Sequence, residues 1–164
     1  MTDTPADDQA AAAELPPLAF IGQFTKDLSF EAPHVPEILE DMAGRQPQIS
    51  LEADVRHSRV NDRTYCVDLS LSVKTAVGDK VAFLIELVYR GVVTVNVPEE
   101  HLLPVLLVQV PTLLFPFARE IVCSVVMNSG FPPVMLAPID FVSLYQHRLA
   151  AAMEEAKAAQ APKN

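Results

Sequence analysis

The chain has 164 residues and a formal net charge of −9, from 12 Lys and Arg against 21 Asp and Glu. Half of the residues are apolar, so the chain can bury a core and is not disordered throughout. An acidic chain repels phosphate backbones, which excludes nucleic acid as an expected partner and favours basic polypeptide segments.

The N-terminal segment is acidic and rich in alanine. Residues 1–17 end in two prolines, and we expect them to form a disordered tail. They contain no basic residue, so they lack the cationic start of a signal peptide. Cys66 and Cys123 show no disulfide spacing, and we expect both thiols to be buried and reduced. These features predict a cytoplasmic protein.

Alternating apolar and polar residues predict strands in the first part of the chain. The first strand starts at Leu18 and carries its apolar side chains at even positions, including Phe20, Phe24 and Leu28. Gly22 interrupts that face, as does a lysine four residues later, and this predicts a bend or bulge. The strand therefore has one apolar and one solvated face.

Three further strands are expected after a proline-rich crossover at 32–48, in which a short helix at 36–43 is possible. Residues 49–56 and 67–74 alternate cleanly and flank a turn at Asn61, and Gly78 marks the next turn. The fourth strand starts near Val81, is apolar on both faces and could continue to residue 97. Short turns make these strands antiparallel neighbours.

The second half of the chain has helical periodicity. A helix is expected to begin at Pro98, and Thr112 is expected to cap a second one that ends near Gly130. Residues 101–118 are strongly apolar, but three prolines interrupt them, so we expect no membrane span. Asp140 is expected to cap the last helix. Its inward side chains would be Phe141, Leu144, Tyr145 and Leu149.

The fold class that follows is α+β, a four-stranded antiparallel sheet with helices on one face. The helices carry more apolar surface than 164 residues can enclose, which predicts an oligomer.

No catalytic motif is visible in the sequence. The chain has no nucleophile elbow, no glycine-rich phosphate loop and no paired cysteines, and its four histidines are not spaced as metal ligands. We therefore expect no enzyme activity, no cofactor and no metal site.

Acidic side chains on the first strand form one candidate surface. Asp27 and Glu31 would lie about 13 Å apart at ~3.3 Å per residue, too far for a catalytic carboxylate pair. Leu84 and Glu86 share one face of the fourth strand. If the two strands are neighbours, the four residues form one apolar and acidic patch suited to a basic protein. The alternative is a solvated face without a partner.

Apolar side chains in the second half form the other candidate surface. Several flank prolines, and Phe and Met side chains adapt to many partner sequences. A groove for extended apolar segments is one interpretation, and ordinary core packing is the other. The residues are Phe115, Phe117, Met127, Phe131, Met135 and Leu136.

Several segments resemble the SecB family of bacterial protein-export chaperones. The first strand of that family resembles residues 24–33 (FTKDLSFEAP), and its fourth resembles residues 82–87 (AFLIEL). Its helix, loop and second helix resemble residues 113–120 (LLFPFARE), 130–132 and 136–141 (LAPIDF). These segments occur in the family's order between residues 20 and 149.

The resemblance implies a homotetramer, built as a dimer of dimers, that works without ATP or a metal. It implies a chaperone that holds unfolded precursor proteins and delivers them to the SecA ATPase of the Sec translocon. The family's SecA-contacting positions fall on Asp27, Glu31, Leu84 and Glu86. Its client-binding grooves would involve Phe115, Phe117, Phe131, Met135 and Leu136.

The resemblance also sets the domain boundaries. The chaperone domain is expected at 18–149, between the acidic tail and an alanine-rich C-terminal tail at 150–164 that could extend a helix. One rival is a small-molecule-binding or enzymatic α+β domain that uses the same apolar pocket. Another is a SecB-like chaperone dedicated to one toxin–antitoxin pair.

Overall fold

A computed structural model describes residues 15–160. Most of the expected N-terminal tail and residues 161–164 lie outside that range. The described residues form four strands and four α-helices. Their bounds are β1 Leu18–Glu31, α1 Glu37–Gly44, β2 Gln48–Arg59, β3 Thr64–Val77, β4 Lys80–Val95, α2 Glu99–Pro104, α3 Val110–Asn128 and α4 Phe141–Gln160, with a π-helical turn at Val105–Gln109.

The four strands form one antiparallel sheet in the order β1-β4-β3-β2. This confirms the α+β prediction. Odd-numbered side chains of β3 and β4, such as Leu71 and Leu87, are buried and face the helices. Even-numbered ones are largely part-exposed, and we call the side of the sheet that they form the open face. The core therefore lies between one face of the sheet and the helical layer.

Tight turns connect β2 to β3 and β3 to β4, as predicted. The side-chain oxygen of Asn61 accepts hydrogen bonds from the backbone N–H groups of Arg63 and Thr64, at 3.2 and 3.0 Å. Gly78 has a φ of +59°, which glycine adopts without a steric penalty. These turns fix the register of the three strands.

Two bulges divide β1, in agreement with the interruption predicted from its sequence. The register shifts between Phe20 and Gly22 and again between Thr25 and Asp27. Each bulge reverses which side chains face the helices. Phe24 therefore lies opposite Arg90 on the open face. The prediction that Phe24 lies on the same face of β1 as Phe20 and Leu28 was wrong.

A single continuous helix spans Glu99–Asn128, although two helices separated before Thr112 were predicted. The π-helical turn just before Pro111 widens the helix, and the N–H of Val110 bonds to the carbonyl of Val105. That widening accommodates a proline without ending the helix. Thr112 is no cap, because its hydroxyl donates 2.6 Å to the carbonyl of Val108 inside the helix.

The long helix would pass for a membrane span by length and composition, the one helix among residues 15–160 that does so. The premise that prolines break it was wrong. A core helix of a soluble protein passes the same test, and α3 packs on β3 and β4 through Leu114, Ala118 and Val122. The absence of membrane insertion stays a prediction.

Helix α4 begins as predicted. The Asp140 carboxylate accepts hydrogen bonds from the Ser143 backbone N–H at 3.0 Å and its hydroxyl at 2.7 Å. Phe141 is buried, whereas Leu149 is exposed in the protomer, contrary to the prediction. The helix continues to Gln160, past the expected start of the C-terminal tail.

Candidate functional site

The open face of the sheet brings the four predicted docking residues together. Residues paired across antiparallel strands share a face. Glu31 lies opposite Leu84, and Asp27 lies opposite Val88, two residues beyond Glu86 along β4. The bulge before Asp27 sets this alignment. Three of the four side chains are exposed, and that of Leu84 is part-exposed.

Two further acids extend this surface onto β2. Asp27, Val88, Ser70 and Asp54 form one row across all four strands, and the next row contains Ser29, Glu86, Ser72 and Glu52. We call the shallow hollow at these rows, about 370 Å³ in volume, the acidic depression. Its four carboxylates are those of Asp27, Glu52, Asp54 and Glu86. The sequence placed the β2 acids on a polar strand face but did not show that this face adjoins the docking residues.

A basic row borders the depression. Arg90 donates hydrogen bonds to both carboxylate oxygens of Asp68, at 2.6 Å from Nε and 2.8 Å from Nη2. Lys26, at the second bulge of β1, donates to the same carboxylate at 2.8 Å. These hydrogen bonds, above all those from Arg90, hold the pKa of Asp68 below its ordinary value, although desolvation opposes them. The cations are thus paired locally.

The structure divides the five predicted groove residues into two groups. Phe115, Phe131 and Leu136 are each only 5% exposed and belong to the core. Phe131 packs 5.0 Å from Phe83, between ring centroids, and so ties the loop after α3 to the sheet. Phe115 packs against Phe141 of α4 at 6.2 Å. These three side chains therefore support the layer of helices rather than present a surface.

The other two groove residues are exposed. Met135 is 74% exposed and Phe117 is 49% exposed. The Phe117 ring stacks on Tyr89 of β4 at 6.4 Å, so one of its faces is covered and the other is free. Burial raises the pKa of the Tyr89 hydroxyl. Leu113 and Met127 on α3 are also about half exposed, which extends the apolar surface along the helix.

A second hollow, lined mainly by apolar side chains, lies where α4 meets the π-helical turn. Its volume is about 480 Å³. This hollow was not predicted from the sequence, because a break in the helix was expected before Thr112 in place of the π-helical turn that shapes it. Its lining residues are His101, Pro104, Val105, Val108, Gln109, Val142 and Tyr145.

Within residues 15–160, no three His, Cys, Asp or Glu side chains are placed to hold a metal ion. Cys66 and Cys123 are free thiols, and both are part-exposed rather than fully buried as expected. The arrangement presents apolar and acidic surfaces, which suit binding of polypeptides.

Comparisons with known proteins agree with this arrangement. Residues 11–152 match the family model described as preprotein translocase subunit SecB. The protein-export protein SecB of Rhodospirillum rubrum is 43% identical over 163 residues, which cover 99% of this chain and 98% of that protein. The protein of the same name from Bradyrhizobium sp. strain BTAi1 is 48% identical over 150 residues, 91% of this chain and 90% of that one.

A solved structure shares the fold. A SecB-like chaperone of Mycobacterium tuberculosis, in complex with a ChAD peptide from the HigA1 antitoxin, superposes with a TM-score of 0.62 at 13% sequence identity. The match covers 74% of this chain and 90% of that one. The family model and the relatives do not favour the enzymatic alternative. The chain belongs to the SecB family of protein-export chaperones.

Proposed function

We propose that this chain is a cytoplasmic holdase that binds unfolded precursor proteins, keeps them competent for export and delivers them to the SecA ATPase of the Sec translocon. The observation that carries the proposal is the separation of two exposed surfaces on one protomer. Apolar side chains lie along α3 and the loop after it, on the helical side of the sheet, whereas acidic side chains lie on its open face. A client and a basic partner can therefore bind at the same time.

The apolar surface has the properties that binding of unfolded chains requires. Burial of apolar area contributes roughly 25 cal/mol per Å², from which the ordering of the client must be subtracted. Phe117, Met127 and Met135 offer such area, and Met side chains repack around different sequences. Phe115, Phe131 and Leu136 would support the groove from beneath. Many weak contacts around one assembly then raise affinity without a sequence code.

The proposed assembly is a homotetramer, a dimer of dimers. β1 is an edge strand that pairs with β4 alone in the protomer, and Ile21 and Phe24 on it are exposed, as is part of Leu28. An edge with unpaired backbone groups and apolar side chains favours pairing with another copy. The exposed residues of α3 that clients do not cover would pack between the dimers.

The acidic surface supports the proposed docking of SecA. Within the described part of the chain, Asp27, Glu31 and Glu86 form no ion pair, so their charge is available to a basic partner. Leu84 and Val88 lie between them and give the surface an apolar centre. Such a surface gives fast, salt-dependent association.

The function is tested by refolding of a denatured precursor protein with and without the purified chaperone, in the absence of any nucleotide. We expect a stoichiometric delay of refolding, together with a native mass of four chains. Nucleotide-free preparations that leave the refolding rate unchanged would contradict the holdase function. A native mass of one chain would contradict the assembly.

A further inference from the structure

Arg148 connects the exposed part of α4 to the edge strand β2. Its guanidinium donates hydrogen bonds to the backbone carbonyl of Val55 and to the carboxylate of Asp54. The two partners lie 93 and 94 residues away in sequence, so the contact joins distant parts of the chain. One side chain therefore links the last helix to both the backbone edge and the open face of the sheet.

This link is the main polar attachment of the part of α4 from residue 146 onwards, which we call its distal part. The start of the helix is fixed by the cap at Asp140 and by Phe141 in the core. From residue 146 to residue 154 every side chain is exposed. Among the described residues, Arg148 forms the only side-chain hydrogen bonds between that segment and the sheet. Loss of the contact would free the distal part of α4 and leave its start in place.

Asp54 is also one corner of the acidic depression. Arg56 donates to its carboxylate at 3.0 Å, and Arg148 binds the other carboxylate oxygen. The remaining acids of the depression, Asp27, Glu52 and Glu86, have no cationic partner within residues 15–160. One of the four carboxylates of the depression thus already binds two guanidinium groups of its own chain.

A basic segment that docks on the open face would meet this internal cation. Asp27 and Asp54 stand at the two ends of one row, three strand spacings or about 14 Å apart. Both carboxylate oxygens of Asp54 already accept hydrogen bonds, one from Arg56 and the other from Arg148, so a cationic side chain that binds Asp54 competes with them and is repelled by their charge. Docking and attachment of α4 then oppose each other.

We propose that Arg148 is an internal competitor for the docking surface. Binding of a basic partner segment at the acidic depression displaces Arg148 from Asp54 and releases the distal part of α4. By linkage, attachment of α4 lowers the affinity for that partner by the same factor. The proposal rests on the proposed function of the open face. It predicts that the mobility of α4 increases when the partner docks.

The test is the affinity for purified SecA of the full chain and of single variants. Arg148→Gln removes the internal cation, and we expect it to raise SecA affinity roughly two- to five-fold, the range that one exposed ion pair supports. His147→Gln changes the neighbouring exposed residue, whose side chain has no hydrogen-bond partner among residues 15–160, and should leave affinity unchanged. In an Asp54→Asn background, Arg148→Gln should have no further effect, because the site of competition is already gone.

A second measurement follows α4 directly. Amide hydrogen exchange at residues 146–152 should accelerate when SecA binds the wild-type chain, and should already be fast in Arg148→Gln without SecA. An Arg148→Gln variant with wild-type affinity and unchanged exchange would overturn the competition. If Asp27→Ala with Glu86→Ala still weakens SecA binding in that case, the docking surface stands and only the role of α4 fails. If that pair has no effect either, the docking function itself fails.

Discussion

Arg90 and Asp68 lie directly opposite each other on β4 and β3, and the guanidinium binds both carboxylate oxygens at 2.6 and 2.8 Å. The carboxylate is largely buried, because only 15% of the Asp68 side chain is exposed. A bidentate guanidinium–carboxylate ion pair of this kind fixes the orientation of both side chains and neutralises their charges. It places the basic row beside the acidic depression without leaving a cation free to fill it.

Asp68→Asn should lower the free energy of unfolding by about 2 kcal/mol at pH 7, the usual value of a charged hydrogen bond. Because Arg90 holds the pKa of Asp68 below its unfolded value, the carboxylate contributes stability that is full above about pH 4 and is lost as the pH falls through the folded pKa. The difference between wild type and variant should therefore shrink towards pH 3.

Urea unfolding from pH 3 to pH 7, at one protein concentration, measures that difference. Asp62→Asn is the matched control, since it removes the same charge from a fully exposed side chain. The same loss of stability in both variants, or a loss in Asp68→Asn that does not change with pH, would contradict the assignment.

Thr75 carries a buried hydroxyl without a hydrogen-bond partner. Its side chain is 1% exposed, and the oxygen is unpaired among the described residues. An unpaired buried hydroxyl costs about 1–3 kcal/mol. Thr75→Val replaces it with a methyl group of similar size and should raise the free energy of unfolding by about 1 kcal/mol. Thr94→Val is the control, because the Thr94 hydroxyl donates to the carbonyl of Ala19. Equal effects of the two substitutions would refute this explanation.

Much of the sheet could be predicted because alternation of side chains is a local property of strands. β3 and β4 follow their patterns, and both tight turns lie where Asn61 and Gly78 indicate. The direction of Phe24 could not be predicted, since the first bulge moves it to the other face of the sheet and the second bulge restores the original alternation from Asp27 onwards. The prediction of a helix break before Thr112 was wrong for a related reason. A π-helical turn accommodates Pro111, and no local pattern announces that turn.

The candidate surfaces were predictable to different degrees. Asp27 and Glu86 share the open face because strand parity and the pairing of β1 with β4 agree. The position of Asp54 beside them depends on the complete strand order, which cannot be predicted from local sequence patterns. The groove residues depend on tertiary packing. A Phe on an apolar helix or loop has the same sequence signature whether it is buried, as Phe131 is, or half exposed, as Phe117 is.

Asp27→Ala combined with Glu86→Ala should weaken SecA binding by roughly tenfold or more at low salt, because two exposed charges of the proposed docking surface are lost. Binding of unfolded precursors should not change. Calorimetry at two salt concentrations measures the effect, which should be smaller at high salt. Glu37→Ala with Glu40→Ala removes the same charge from α1 and serves as the control. Comparable loss of affinity in both pairs would indicate a general charge effect instead.

Phe117→Asp combined with Met135→Asp should reduce suppression of precursor aggregation at least several-fold, because both side chains are exposed and apolar. Stability and native mass should be retained. Phe131 is a poor probe, since a buried charge there would destabilise the fold itself. Val60→Asp, at an exposed valine in the β2–β3 turn, is the control. Undiminished suppression by the double variant would place client binding on another surface.

Gly91 of β4 lies against Leu114 of α3, and its substitution tests that contact. A Cβ at this position would lie 3.1 Å from Cδ2 of Leu114, which is fully buried, and 3.1 Å from Cε1 of Phe20. Gly91→Ala should therefore lower the free energy of unfolding by about 1–2 kcal/mol through overpacking. Gly22→Ala in the adjacent strand has open space for its methyl group and should be nearly neutral.

A double-mutant cycle with Leu114→Val separates overpacking from a change in strand propensity. The shorter side chain makes room for the new methyl group, so the cost of Gly91→Ala should fall in that background. Urea unfolding of the four variants at one protein concentration gives the coupling energy. A coupling energy of zero would mean that contact between the new methyl group and Leu114 does not cause the loss of stability.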